Sequence, residues 1–267
     1  MVFSFFAALY FIATTAGVTA VDASAPTADE IMVKVEAVDE GDRQTSDIKM
    51  ILIDKHGSER VRDICTFRKF IGEDEYSVSF FTSPADIKDT AFLTLNHGET
   101  GREDDQWLFL PALSRTKRIP SSEKSAAFMG SDFNYSDMSD TDIEDYRYTL
   151  KGEDEVEGVP VWVIESEPIN STIEEETGYK KTVSFIRKDN YIVIRAVRWA
   201  DKGSTIKYFE VNKLEKIDGI WTPTLIKMTS RQGSVFVHKT VFSFSNIKYN
   251  QQLDDELFSV RSIENGI

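Results

Sequence analysis

Histidines, a crowd of serines and a run of acids are the side chains in this sequence whose types could do chemistry. His56, His97 and His238 are the only imidazoles, they stand far apart, and His56 falls in the turn signal Lys55-His56-Gly57-Ser58. Ser121, Ser122, Ser125 and Ser131 crowd one segment. With His97 as base, any of them would be a candidate nucleophile for lipid-ester hydrolysis. No Gly-x-Ser-x-Gly elbow, phosphate-binding glycine loop, His-Glu-x-x-His pair or cysteine pair accompanies them. The expectation is therefore no enzyme, no cofactor and no metal, with the hydrolase as the lesser alternative. Asp137, Asp140, Asp142, Glu144 and Asp145 offer oxygens that suit calcium, but they lack the glycine and terminal bidentate glutamate of a calcium loop and read as a solvated loop.

A different kind of site is suggested between Asp105 and Tyr148. Trp107 and Phe109 stand on a strand-like run, and Phe128, Met129, Phe133 and Tyr135 follow among Ser125, Ala126, Ala127, Gly130 and Ser131. Gly and Ser weaken regular structure while Phe and Met require burial, so this composition predicts a mobile cover over an apolar hollow. Those six apolar residues are the candidate ligand-binding set. Between the two groups lie Arg115, Lys117 and Arg118. On a strand they alternate faces, which fits charge protecting an exposed edge; the functional reading puts Arg115 and Arg118 at the cavity mouth, against an anionic head group.

The elements that must position these residues follow from pattern. Pro26-Thr27-Ala28-Asp29-Glu30 and the spacing of Ile31, Val35 and Val38 predict one helix over 28–39, ended by Gly41. From Gln44 onward the period becomes two: Ile48, Met50 and Leu52; Tyr76, Val78 and Phe80; Ala91, Leu93 and Leu95; Tyr146, Tyr148 and Leu150. Turn signals at Asp189-Asn190, Asp201 to Ser204, Asp218-Gly219 and Gln232-Gly233 separate such runs. About eleven strands without alternating helices predict one antiparallel meander, mainly β, that coils into a strongly curved, half-open barrel with short helices or loops over its hydrophobic concave face. The polar stretch Ser166 to Gly178 reads as a surface loop.

Composition sets the setting. Of 267 residues 41% are apolar, with 18 Phe and 9 Tyr, which suits a β-rich core; a net charge of −14 argues against nucleic acid or anionic membrane surfaces as the main partner. Met1 to Val21 carries no charge and is rich in Phe, Ala, Leu and Ile. It reads as a signal peptide over residues 1–20, leaving one domain over 21–267, with retention as an anchor as the alternative. Cys65 is the only cysteine, so no intrachain disulfide forms and no lipid is attached at a new N-terminal cysteine.

The stretch Asp105-Gln106-Trp107-Leu108-Phe109-Leu110-Pro111-Ala112-Leu113, then Arg115 and Arg118, then Ser125-Ala126-Ala127-Phe128-Met129-Gly130-Ser131-Asp132-Phe133-Asn134-Tyr135, resembles the outer-membrane lipoprotein-sorting family of LolA-like proteins. Asp145 to Tyr148, Gly178-Tyr179 and Gly219 to Pro223 extend the resemblance over nearly all of Ile31 to Phe258. It implies a half-barrel around a hydrophobic cavity and a periplasmic carrier that binds acyl chains of lipoproteins or lipids for outer-membrane sorting or export; a monomer is the expectation for its assembly. It also implies, as the alternative, an accessory subunit of an inner-membrane RND/MMPL-type exporter.

Overall fold

The computed structural model describes residues 25–98 and 102–267; the signal peptide expected over residues 1–20 lies outside them. Thirteen strands form one sheet. The first arm holds β1 (Arg43–Asp54), β2 (Glu59–Ile71), β3 (Asp74–Ser83), β4 (Ala91–Asn96), β5 (Asp105–Leu110) and β6 (Arg115–Ile119). The second holds β7 (Tyr146–Val156), β8 (Val159–Pro168), β9 (Tyr179–Arg187), β10 (Val193–Ala200), β11 (Thr205–Ile217), β12 (Ile220–Gln232) and β13 (Val235–Tyr249). Every neighbouring pair is antiparallel. The count exceeds the eleven expected because strands such as β10 are half-buried on both faces, which erases the period of two.

The order is β6-β5-β4-β3-β2-β1-β13-β12-β11-β10-β9-β8-β7. Twist accumulates over so many strands and curls the sheet, yet its edges β6 and β7 do not pair. The half-barrel stays open. This order has a direct topological consequence: the chain between β6 and β7 must travel from one edge to the other. Residues 120–145 do so as a strap across the open side.

Three apolar clusters fix this arrangement. Met50, Leu52, Ile64, Phe81, Phe92, Leu108, Met228 and Phe242 pave the concave face beneath Phe128 and Phe133 of the strap. Val78, Phe80, Ala91 and Leu93 face the convex side, covered by Phe258 and by Ile263 of a C-terminal helix, Val260–Asn265. The N-terminal helix α1 (Ala28–Glu36) sets Ala28 and Ile31 against Ile164 and Ile186 on β8 and β9. It begins at a Thr27 and Glu30 capping box and ends at Ala37, short of the expected 39.

Gly41 stands beyond the helix at φ +71°, where an added Cβ would meet the Tyr249 and Ile220 side chains at under 3 Å. The expected surface loop over Ser166–Gly178 instead contains α2 (Ser171–Thr177). Asn170 accepts from the Ile173 N–H and Gly178 adopts the left-handed cap, two local signals that outweigh the polarity of the stretch. Among the described residues no helix is long and apolar enough to cross a membrane.

Candidate functional site

The strap is built of short helical turns, Ser121–Glu123, Phe128–Gly130, Tyr135–Met138 and Ile143–Asp145. Its middle folds back on itself: the Phe128 N–H donates to Phe133 O at 2.8 Å, and Ala127 bridges Asn134. Met129 turns this corner at φ +49°, a conformation unfavourable for a side chain with a Cβ. The turn drives both phenylalanines down. Phe128, 3% exposed, packs with its centroid 5.1 Å from Phe92 and 5.6 Å from Tyr135, and Phe133 stacks on Phe242 at 4.9 Å.

Polar side chains from the second arm hold the strap from below. Asp132 Oδ2 accepts from Thr240 Oγ1 at 2.7 Å and lies 2.7 Å from His238 Nδ1. Lys207 Nζ donates to Asp132 O at 2.6 Å and to Asn134 Oδ1 at 2.7 Å. Asp137 accepts from the Tyr179 hydroxyl and the Asn134 N–H, each at 2.7 Å, and pairs with Arg198. On the first arm Gln106 Nε2 donates to Tyr135 O at 2.8 Å. Burial pushes the Lys207 ammonium below its ordinary range, against the pull of Asp137. Burial, then Asp137, raise the Tyr179 phenol well above its own. Tyr179 therefore stays a neutral donor toward the carboxylate.

Beneath the strap lies a cavity of about 390 Å³. Ile48, Ile64 and Phe92 form one wall, Phe209, Ile226 and Phe244 the other, and Phe128, Phe133 and Met138 the roof. Ser77, Ser79, Thr94, Asp137 and Arg198 are its polar lining. This is within the size range of small-molecule sites, which are mostly apolar with a few placed polar groups.

Of the six apolar residues singled out in the sequence, Phe128 and Phe133 line the cavity, and Met129 and Tyr135 pack against the same cluster. Trp107 and Phe109 do not join them. They pack on the convex face with the C-terminal segment, because in β5 it is Leu108 that points inward. Arg115 and Arg118 are also away from the cavity lining, on edge strand β6. Arg118 pairs with Asp105 at 2.6 Å and Arg115 is exposed, an arrangement that fits edge protection.

The acidic run is not simply solvated, since the Asp137 side chain is buried in its pair with Arg198. Ser131 is engaged with the Phe133 N–H, and His97 sits 3.5 Å from Asp74 and 3.6 Å from Asp105. Among the described residues no serine hydroxyl hydrogen-bonds to a histidine ring, and no group of three or more His, Cys, Asp or Glu side chains could hold a metal ion. Arg198 and Lys207 were missed from sequence. Their signal is position: both occupy inward sites, in register with each other, two residues from inward Ala196 and Phe209.

Comparison with known proteins places this architecture. A family model described only as an uncharacterized protein matches residues 73–265. A solved DUF1329 family protein from Desulfovibrio piger is 31% identical over 87% of this chain and 96% of the other, with a TM-score of 0.78. The chain belongs to the DUF1329 family. A domain named for outer-membrane lipoprotein sorting, from Vibrio parahaemolyticus, is 30% identical over 88% of this chain and 97% of the other, with a TM-score of 0.79. A LolA superfamily protein from Nitrosomonas europaea shares the fold at 22% identity, over 89% of this chain and 99% of the other, with a TM-score of 0.66. The LolA-like resemblance seen in the sequence of this DUF1329 member thus extends to the whole fold. No curated protein matches the chain.

Proposed function

We propose that this protein is a periplasmic carrier that shields acyl chains of lipids or lipoproteins in the cavity under its strap. The observation that carries the reading is the apolar cavity itself, walled by both arms of the sheet and roofed by Phe128 and Phe133. Each buried CH₂ contributes about 0.8 kcal/mol, so a chain of ordinary length is held without directional chemistry. The similarity to a domain named for outer-membrane lipoprotein sorting supports the cargo class, and the uncharged, apolar composition of residues 1–20 supports export.

In this reading the strap is the gate. Its roof is apolar and its fastening is ionic, and when the strap lifts water rehydrates both charges and returns much of the desolvation penalty that the closed pair carries, so opening costs less than removing one partner. Loading requires Asp137 to leave Arg198 and Phe133 to leave Phe242. The test is a titration with 1-N-phenylnaphthylamine, a dye that brightens in apolar sites. Saturable brightening that palmitate reverses, and that Phe244→Glu on the cavity wall abolishes, is the expected result; brightening unaffected by Phe244→Glu would place the dye elsewhere and overturn the reading.

A further inference from the structure

The cavity is not apolar throughout. Along β3 the inward positions run Phe81, Ser79, Ser77, and along β4 they run Phe92, Thr94; Ser77 stands opposite Thr94 and Ser79 opposite Phe92. The intervening Val78 and Leu93 face the convex cluster, so the hydroxyls occupy the positions that elsewhere on this face carry large apolar side chains. Thr94 is fully buried, and its Oγ1 has no hydrogen-bond partner among the described residues. A buried hydroxyl left unpaired is unfavourable, and a valine would fill the same shape without that penalty. The other polar groups of the cavity, Arg198 and Asp137, are engaged with each other.

We infer that Ser77, Ser79 and Thr94 form a carbonyl-recognition subsite, which donates hydrogen bonds to the acyl carbonyl of the cargo while its chain lies against Phe92 and Phe128. The inference rests on the acyl-carrier reading and narrows it. A carbonyl oxygen accepts and never donates, which matches hydroxyls free to rotate their protons toward it. Bare hydrocarbon offers these groups nothing. The cargo class is therefore an acyl ester or acid that carries its carbonyl into the cavity.

The test uses the full mature chain and displacement of 1-N-phenylnaphthylamine by three probes: methyl palmitate, palmitate, and octadecane, which has no oxygen. Thr94→Val and, separately, Ser77→Ala are expected to weaken an oxygenated probe by roughly three- to tenfold, the worth of one hydrogen bond, and to leave octadecane unchanged. A loss confined to methyl palmitate identifies lipid esters as the source, and one confined to palmitate identifies free fatty acids. Thr94→Val should melt no lower than wild type, since its hydroxyl has no protein partner; a lower melting temperature would assign the hydroxyl a structural role instead. Variants that bind all three probes as wild type does overturn the subsite and leave the acyl cavity standing. Failure of all three probes to displace the dye from wild type overturns both.

Discussion

At the scale of single residues, the buried ionic groups under the strap make the sharpest claims. Asp137 is almost fully enclosed, so Arg198→Ala leaves an uncompensated carboxylate. The expected loss is about 3 kcal/mol in urea unfolding, with a smaller loss for Asp137→Asn, which keeps an acceptor for Tyr179. Glu75 carries a pH dependence. Burial, then the facing Asp140 carboxyl, raise it from the ordinary 4.5 to about 8; Arg68 opposes that shift and Glu40 adds to it. The folded protein then holds a proton that the unfolded chain has released, so stability is fully present below pH 4.5 and falls as pH rises through about 8. The decline is at most about 1.4 kcal/mol per pH unit, and Glu75→Gln should flatten it in urea titrations across that window. These groups were hard to read in the sequence because a charged residue on a strand ordinarily points to water. Arg198 and Lys207 do the reverse, and only their strand parity with Ala196 and Phe209 marks them. Phe128 and Phe133 were legible because large apolar side chains stood on a backbone too rich in Gly, Ala and Ser to be sheet.

At the scale of elements, the strap follows from strand order. A sheet whose two edges are consecutive in the chain requires the connection between them to span its mouth, and that connection carries the aromatic residues. The double substitution Phe128→Asp with Met129→Asp should release it. Amide exchange over 120–145 is expected to rise while far-UV circular dichroism and strand protection persist; loss of the β spectrum would show that the strap is core to the sheet. The meander and its turns were legible because Asp218-Gly219 and its counterparts mark hairpins and because β1 and β7 alternate cleanly. The facing of Trp107 and Phe109 was not. In Gln106-Trp107-Leu108-Phe109-Leu110 both faces carry apolar side chains, since the C-terminal segment covers one and the strap the other, and a run buried on both sides carries no parity. α2 was hidden by its acids, although Asn170 and Gly178 bracket it.

At the scale of the whole molecule, a chain of net charge −14 folds one open sheet around a cavity lined from both arms and roofed by the link between them. We propose that residues 21–267 act as one domain, with the convex face serving only as support and the concave face as the site. The polarity of the cavity, apolar walls with a hydroxyl ledge and the Asp137–Arg198 pair, fits the proposed container for an amphiphile. Native mass spectrometry of the mature protein, mixed with a membrane lipid extract and then repurified, tests this most directly. Discrete mass additions matching acyl lipids are expected, and they should be absent from the Phe244→Glu protein. A wild-type protein that stays at its bare mass in every such mixture would contradict the carrier.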